Sequence, residues 1–140
     1  MSDIAPVTHT AKTRTVGGRQ HGVSRSLDGQ LDIRLAAPGS GRIGTNPEQL
    51  FAAAWSACFE TAIELVAKER QIALPAGIAI DAEVTLNAAN ESYSLSAQFH
   101  VELPGVERET ALALIVDAHK TCPYSRAMRG NVEITTTLAN

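Results

Sequence analysis

The feature that most constrains this chain is a long apolar segment that begins at Asn46 and extends to about residue 70. Its first residues are typical of a helix start. Asn46 can cap the first turn, Pro47 suits the first helical position, and Gln49 can reach back in a capping box. Glu48 adds an acid to the first turn, where the helix dipole favours negative charge. The segment therefore predicts one helix that is unusually long for a small domain.

Apolar residues follow this start at helical spacing and form a broad stripe. The stripe is made of Leu50, Ala54, Cys58, Ala62 and Val66, widened by Phe51, Trp55, Phe59 and Leu65. Alanines occupy much of the remaining surface, at Ala52, Ala53 and Ala57. Small residues on nearly every side predict a helix that packs closely on more than one face.

The segments on either side of this helix alternate between apolar and polar residues, which predicts strands. We expect strands at about 8–15, 23–27, 31–35, 78–86, 93–103 and 132–138, and a second helix at about 107–120. The Asp28-Gly29 pair predicts a tight hairpin, and residues 17–19, 36–45 and 87–92 predict a turn and two loops. Pro123 ends the second helix, and Ser125 is expected to cap a last turn that stops at Gly130. Six strands paired largely as hairpins, with two main helices, predict an α+β fold.

Composition limits the class of protein. The chain has 140 residues, 44% hydrophobic and 19% charged, which predicts a single globular domain over 1–140 with residues 1–6 frayed. A net charge of −3 gives no electrostatic case for binding nucleic acid or an anionic membrane. We expect no apolar run of the roughly 20 residues that a membrane helix needs. The first residues lack the basic and apolar parts of a signal peptide, so we expect a cytoplasmic location.

The two cysteines are the strongest candidates for chemistry. Cys58 lies in the middle of the long helix, where a thiol can simply fill an apolar face. A reactive Cys58 would need a cationic neighbour to hold its thiolate. Cys122 precedes Pro123 at the end of the second helix, so we expect it to have a mobile backbone rather than a core position. A transient disulfide between cytoplasmic cysteines is usually functional, but a half-exposed surface thiol remains open for Cys122.

Other readings of these residues stay open. The four histidines, His9, His21, His100 and His119, lack the close ligand spacing that announces a structural zinc site. Cys58 and His119 would suit a Cys–His hydrolase as nucleophile and base, although a histidine at a helix end is often a C-terminal cation. Taken alone, Arg19 would be a solvated turn residue and Glu48 an ordinary first-turn acid.

Several motifs together resemble the organic hydroperoxide resistance (Ohr) branch of the OsmC/Ohr family. They are residues 46–53 (NPEQLFAA), 56–59 (SACF), 122–125 (CPYS), 129–131 (RGN), 17–19 (GGR) and 27–32 (LDGQLD). The resemblance covers about residues 7–138. This chain departs from the usual family pattern at Ala54-Trp55, where glycine and tyrosine are common, and at Arg126 and Met128, where asparagine and threonine are common. These departures concern the shape of the pocket and substrate preference.

The resemblance implies an OsmC-like fold, with antiparallel sheets around a long central helix plus a second helix, in an intertwined homodimer. It implies a thiol peroxidase that acts on organic hydroperoxides without a cofactor. In this scheme Cys58 is the peroxidatic cysteine, which becomes a sulfenic acid, and Cys122 is the resolving cysteine, which forms a disulfide with it. A dithiol, typically a lipoylated protein, then reduces the disulfide. The alternative is a non-enzymatic thiol redox sensor or small-ligand carrier.

The resemblance also assigns supporting roles. Arg19 would supply the cation that Cys58 needs, and Glu48 would clamp the guanidinium. An alkyl or aryl peroxide tail would fit against the apolar side chains of Phe51, Trp55, Phe59 and Tyr124. Glu48 and Cys58 are ten positions apart, which is roughly 15 Å along one straight helix. We therefore hypothesise that Glu48 and Arg19 act on a Cys58 of the partner subunit, at a homodimer interface.

Overall fold

The computed structural model of the chain describes residues 8–139, and the predicted fraying of residues 1–6 lies outside the described part. Two compact units can be distinguished, Met1–Pro47 and Glu48–Asn140. The expectation of a single domain stays a prediction.

The first unit contains a small antiparallel sheet in the order β1-β2-β3. Its elements are β1 (Thr13–Val16), α1 (Gly18–His21), β2 (Val23–Ser26) and β3 (Asp32–Arg34). The strand predicted at 8–15 begins only at Thr13, because its pairing partner β2 ends at Ser26, the residue opposite Thr13. The predicted hairpin at Asp28-Gly29 is confirmed: Gly29 takes a φ of +78° and the Asp28 carboxylate accepts the Gln30 N–H at 3.0 Å.

At the predicted turn, residues 17–19, Gly17 adopts the left-handed backbone conformation and a single helical turn, α1, follows it. Gly17 has a φ of +90° and directly precedes α1. A Cβ on Gly17 would lie 2.9 Å from the Cα of Gly22, so this close approach requires glycine at position 17. Arg19 therefore lies in a helical turn rather than in an open loop.

The long helix is confirmed as α2, Pro47–Glu69. It ends in a Schellman motif. The N–H of Ile72 donates to the Ala67 carbonyl at 2.8 Å, and the N–H of Gln71 donates to the Lys68 carbonyl at 3.0 Å. Gln71 holds the left-handed position with a φ of +59°, a place usually taken by glycine. The apolar residue Ile72 then packs against the last turn of the helix.

The apolar character of α2 overturns one prediction. An 18-residue window of this helix has a mean hydropathy of 1.4, so α2 is long and apolar enough to pass the length and composition test for a membrane span. Core helices pass the same test, and α2 buries one stripe of its surface in the core. The stripe consists of Trp55, Phe59, Ala62, Ile63, Val66 and Ala67. Only 33% of the window is buried, and Leu65, which was predicted to widen the stripe, is 49% exposed.

The second unit contains the sheet that receives α2. Strands β4 (Ala79–Ala89) and β5 (Ser92–Glu102) form the predicted antiparallel hairpin. The loop predicted at 87–92 is only a two-residue turn, because Asn90 and Glu91 both take a positive φ, the signature of a type I′ turn. Strand β4 consequently extends three residues beyond its predicted end, and β5 begins one residue earlier than predicted.

The final strand β6 (Glu133–Leu138) pairs in parallel with β5. Parallel neighbours need a crossover connection, which is supplied by α3 (Arg108–Thr121) and α4 (Pro123–Met128). The predicted α+β class is confirmed, but this sheet is mixed rather than purely antiparallel. Its inward rows, such as Ala82–Phe99 across β4 and β5, form the core with α2 and α3.

Candidate active site

The two cysteines lie together in the second unit, although 64 residues separate them in sequence. Their Sγ atoms are 3.4 Å apart, and both thiols are free. Cys58 is partly exposed on α2, whereas Cys122 is 0% exposed and belongs to the core. One thiol can therefore be reached from solvent while the other is held behind it.

The burial of Cys122 corrects the expectation of a mobile, half-exposed residue. Cys122 is at once the last cap of α3 and the first cap of α4. Its N–H donates to the Ala118 carbonyl at 2.8 Å, and its carbonyl accepts the Arg126 N–H at 3.0 Å. Hydrogen bonds on both sides fix the backbone, and the thiol lies in the core against Cys58.

The surroundings of Cys58 within this unit act mainly against ionisation. Burial raises the pKa of the Cys58 thiol, and the neighbouring Cys122 thiol raises it further. The backbone N–H of Tyr124 donates to the Cys58 sulfur and lowers its pKa. A reactive thiolate at this position needs an additional positive group, as predicted from the sequence.

A buried chain of hydrogen bonds connects the helices beside the two cysteines. The Trp55 indole donates from Nε1 to the Ser125 hydroxyl at 2.9 Å. The same hydroxyl lies 2.8 Å from Nδ1 of His119, and Nε2 of His119 lies 2.9 Å from the Thr136 hydroxyl. Ser125 was predicted to cap a helical turn. It instead lies inside α4 and is buried, because its hydroxyl bonds to side chains on α2 and α3.

His119 differs from both sequence interpretations. Burial lowers its pKa, and the positive charge of Arg129 lowers it further, so the neutral ring is favoured over a C-terminal cation. Its ring stacks on Phe59 with centroids 4.2 Å apart. Both ring nitrogens are paired with hydroxyls. His119 is thus not placed as the general base of a Cys–His hydrolase.

The four predicted substrate-contacting residues lie near the cysteines with different exposures. Trp55 and Phe59 are 0% exposed and belong to the core cluster that includes Cys122. Phe51 is half-buried and stacks on Trp55 at 5.4 Å, and Tyr124 is 40% exposed. In this arrangement only Phe51 and Tyr124 have surface available to a bound molecule. Substrate contact by these side chains stays a prediction.

Arg19 and Glu48 belong to different units, Arg19 to α1 and Glu48 to the first turn of α2. Helix α2 is unbroken between Glu48 and Cys58, so the separation of roughly 15 Å expected from the helical rise holds within one chain. Their roles stay predictions. No group of three or more His, Cys, Asp or Glu that would suit a metal ion occurs among residues 8–139.

Sequence reasoning missed the hydrogen-bonded chain. His119, Cys122 and Ser125 are three residues apart in succession, a spacing that places side chains on one face of a helix. The spacing was obscured by Pro123, which indicates the end of a helix rather than the start of the next one.

Comparison with known proteins gives a consistent result. A family model described as "OsmC-like protein" matches residues 38–137. The organic hydroperoxide resistance protein of Xanthomonas axonopodis pv. citri is 38% identical, over 99% of this chain and 100% of that protein. The crystal structure of a Legionella pneumophila organic hydroperoxide resistance protein superposes with a TM-score of 0.90 at 38% identity, over 96% of this chain and 100% of that one. For OhrB of Bacillus subtilis the TM-score is 0.88 at 39% identity, over 94% and 99% of the two chains. This chain therefore belongs to the OsmC/Ohr family of organic hydroperoxide resistance proteins.

Proposed function

We propose that this protein is a thiol peroxidase that reduces organic hydroperoxides to alcohols. The observation that carries the proposal is the pair of free thiols with Sγ atoms 3.4 Å apart, one partly exposed and one fully buried. The names of its relatives support a role in resistance to organic peroxides.

The chemistry follows from this arrangement. The Cys58 thiolate attacks one peroxide oxygen, the O–O bond breaks, and the alkoxide leaves as the alcohol after protonation. Cys58 is oxidised to a sulfenic acid. The Cys122 sulfur then attacks the Cys58 sulfur, the S–O bond breaks, and the hydroxyl leaves as water with the thiol proton. An external dithiol, for which we propose a lipoylated protein, reduces the disulfide by exchange.

The unequal burial of the two thiols fits this division of work. The peroxidatic sulfur must meet a substrate, and Cys58 is the more exposed of the two. The resolving sulfur needs to reach only its partner, and Cys122 is enclosed by the core beside it. Enclosure also keeps Cys122 from oxidation by bulk peroxide, since susceptibility follows exposure and thiolate character.

The groups described so far do not explain how Cys58 ionises. The groups of its own unit raise its pKa on balance. We propose that Arg19, oriented by Glu48, supplies the missing positive charge from a second copy of the chain. Two observations support this. Glu48 and Cys58 lie on one unbroken helix roughly 15 Å apart, and only 33% of the most apolar window of that helix is buried.

The peroxidase reaction is tested with Cys58→Ser and Cys122→Ser. Cys58→Ser is expected to abolish reduction of cumene hydroperoxide, because the attacking sulfur is gone. Cys122→Ser is expected to complete one turnover and stop as a sulfenic acid when no thiol is added. Mass spectrometry of the wild type after one equivalent of peroxide should show loss of two hydrogens and a Cys58–Cys122 link. Consumption of peroxide by Cys58→Ser at the wild-type rate would refute the mechanism.

The shared site is tested by mixing two inactive variants. Cys58→Ser and Arg19→Ala are co-refolded in equal amounts. If Arg19 serves the partner's Cys58, half of the dimers are mixed and each carries one complete site, so about a quarter of wild-type activity returns. If Arg19 serves its own chain, or the protein is a monomer, the mixture stays inactive.

The alternative is a thiol redox sensor or small-ligand carrier in the same family. Repeated turnover with a dithiol separates the two, because a sensor oxidises once and then needs a protein partner to respond. A cytoplasmic location accords with free cysteines and is part of the proposal.

A further inference from the structure

The hydrogen-bonded chain flanks both cysteines at the same spacing. Trp55 lies three residues before Cys58 on α2, and Ser125 lies three residues after Cys122 on α4. The bond between Trp55 and Ser125 therefore joins the two helices within one turn of both sulfurs. His119, three residues before Cys122, bonds to the same hydroxyl from α3.

The donors and acceptors of this chain can be assigned in one consistent way. An indole N–H only donates, so the Ser125 oxygen accepts from Trp55. Ser125 has one hydroxyl proton, which it donates to Nδ1 of a neutral His119. The His119 proton then lies on Nε2 and is donated to Thr136. Every group is satisfied, which fits a buried polar chain.

The aromatic rings add a second connection between the same elements. His119 stacks on Phe59, the residue after Cys58, at 4.2 Å. Besides the contacts that the Cys58 sulfur makes with Cys122 and with the Tyr124 N–H, this hydrogen bond and this ring contact hold the segment around Cys122 to the Cys58 helix. Neither involves the sulfurs themselves, so both can persist when the thiols react.

We propose that Trp55, Ser125 and His119 form a clamp that holds Cys122 against Cys58 and so sets the rate at which the disulfide closes. These are positioning residues, and the proposal rests on the proposed peroxidase function for its place in the cycle. Closing the bond brings the sulfurs from 3.4 Å to about 2.05 Å. The clamp confines α4 to the approach from which the Cys122 sulfur attacks the Cys58 sulfenic acid, with water as the product.

The test measures how much of the Cys58 sulfenic acid is trapped by an added reagent and how much reacts with Cys122 to form the disulfide. Each protein receives one equivalent of cumene hydroperoxide in the presence of dimedone, which traps sulfenic acid, and mass spectrometry gives the ratio of trapped protein to disulfide. Ser125→Ala and Trp55→Phe each remove the helix-to-helix bond and are expected to raise this ratio about three- to tenfold, the range for one neutral hydrogen bond. The double variant should match the larger single effect, because both changes delete the same interaction.

The matched control is Ser96→Ala, which removes a serine that accepts a hydrogen bond from Asn87 on the sheet. Its ratio should equal that of the wild type. Trp55 is the only tryptophan, so fluorescence shows directly whether the bond exists in solution. Ser125→Ala should move the emission to shorter wavelength, and Ser96→Ala should not. An unchanged emission in Ser125→Ala would overturn the clamp.

The two proposals fail in different ways. If Cys58 in Ser125→Ala is oxidised normally and closes at the wild-type ratio, the clamp is refuted while the peroxidase function stands. If peroxide oxidises Cys58 in no variant, the peroxidase function is refuted. The clamp is then tested with glutathione disulfide, which forms a mixed disulfide on Cys58 that Cys122 displaces with release of glutathione. The ratio of mixed to internal disulfide should again rise in Ser125→Ala, and a wild-type ratio would refute the clamp.

Discussion

The buried imidazole of His119 should make the stability of this protein depend on pH. Burial first, and the charge of Arg129 second, lower its pKa below the ordinary value of 6.5. The folded protein consequently binds fewer protons at this site than the unfolded chain does as the pH falls below about 6.5. Above that pH, titration of His119 does not change the free energy of unfolding. As the pH falls further, the free energy of unfolding declines, and the decline ends once the pH is below the lowered pKa of the folded state.

The size of the effect is bounded by one proton. Where the unfolded chain is protonated at this site and the folded protein is not, the free energy of unfolding falls by up to about 1.4 kcal/mol per pH unit. Protonation also forces Nδ1 to donate, so the Ser125 oxygen would accept from both His119 and Trp55 and its own proton would lose its acceptor. Protonation of His119 would therefore break one hydrogen bond of the chain, in addition to placing a charge in a buried site beside Arg129.

The assay is urea unfolding at intervals between pH 8 and pH 5, with His119→Gln beside the wild type. The variant should be less stable at pH 8, because the ring contacts are lost, but its stability should fall less steeply with acid. Leu114→Ala is the control. It truncates a side chain that is 0% exposed and leaves a cavity in the core, but it removes no titratable group. This control should lower the free energy of unfolding by about 2–5 kcal/mol at every pH and leave its pH dependence unchanged. A slope in His119→Gln equal to that of the wild type would refute the reasoning.

Three further predictions concern stability. Phe99→Ala should lower the free energy of unfolding by about 3–5 kcal/mol in urea titrations, because Phe99 is 0% exposed, whereas Tyr93→Ala at a 73% exposed site should change it by about 0.5 kcal/mol or less. Gln71→Gly should raise the melting temperature, with a gain of about 0.5–1 kcal/mol, because the left-handed C-terminal position of α2 favours glycine; a lower melting temperature would contradict this. Gly22→Ala should disrupt the first unit, because a Cβ there would lie 2.2 Å from the Gly18 carbonyl oxygen; unchanged amide exchange of β2 would contradict the expected strain.

Local signals predicted the elements of this protein well. The start at Pro47 and the extent to about residue 70 were readable because the residues of the first turn and the apolar stripe act within a few neighbours along the chain. The hairpin of β4 and β5 was readable for the same reason. Its turn was misjudged, since Asn90 and Glu91 occupy positive φ values that polar residues adopt less readily than glycine.

The candidate site was readable only in part. The motifs around Cys58 and Cys122 indicated the family, and the comparisons confirmed that assignment. The burial of Cys122 was predicted wrongly, because Cys122 was placed at the frayed end of the second helix, with a last turn beginning only at Ser125, whereas α4 begins at Pro123. The roles of Arg19 and Glu48 stay predictions.

The sequence by itself determined the positions of the two main helices, the α+β class and the identity of the two thiols. Only the tertiary structure decided that the thiols meet at 3.4 Å, that Cys122 is the enclosed partner, and that Trp55 and His119 share the Ser125 hydroxyl. The physical reason is the range of the interactions. Capping and periodicity act over one or two turns, whereas the contact between Cys58 and Cys122 spans 64 positions and exists only once α2, α3 and α4 have packed on the sheet.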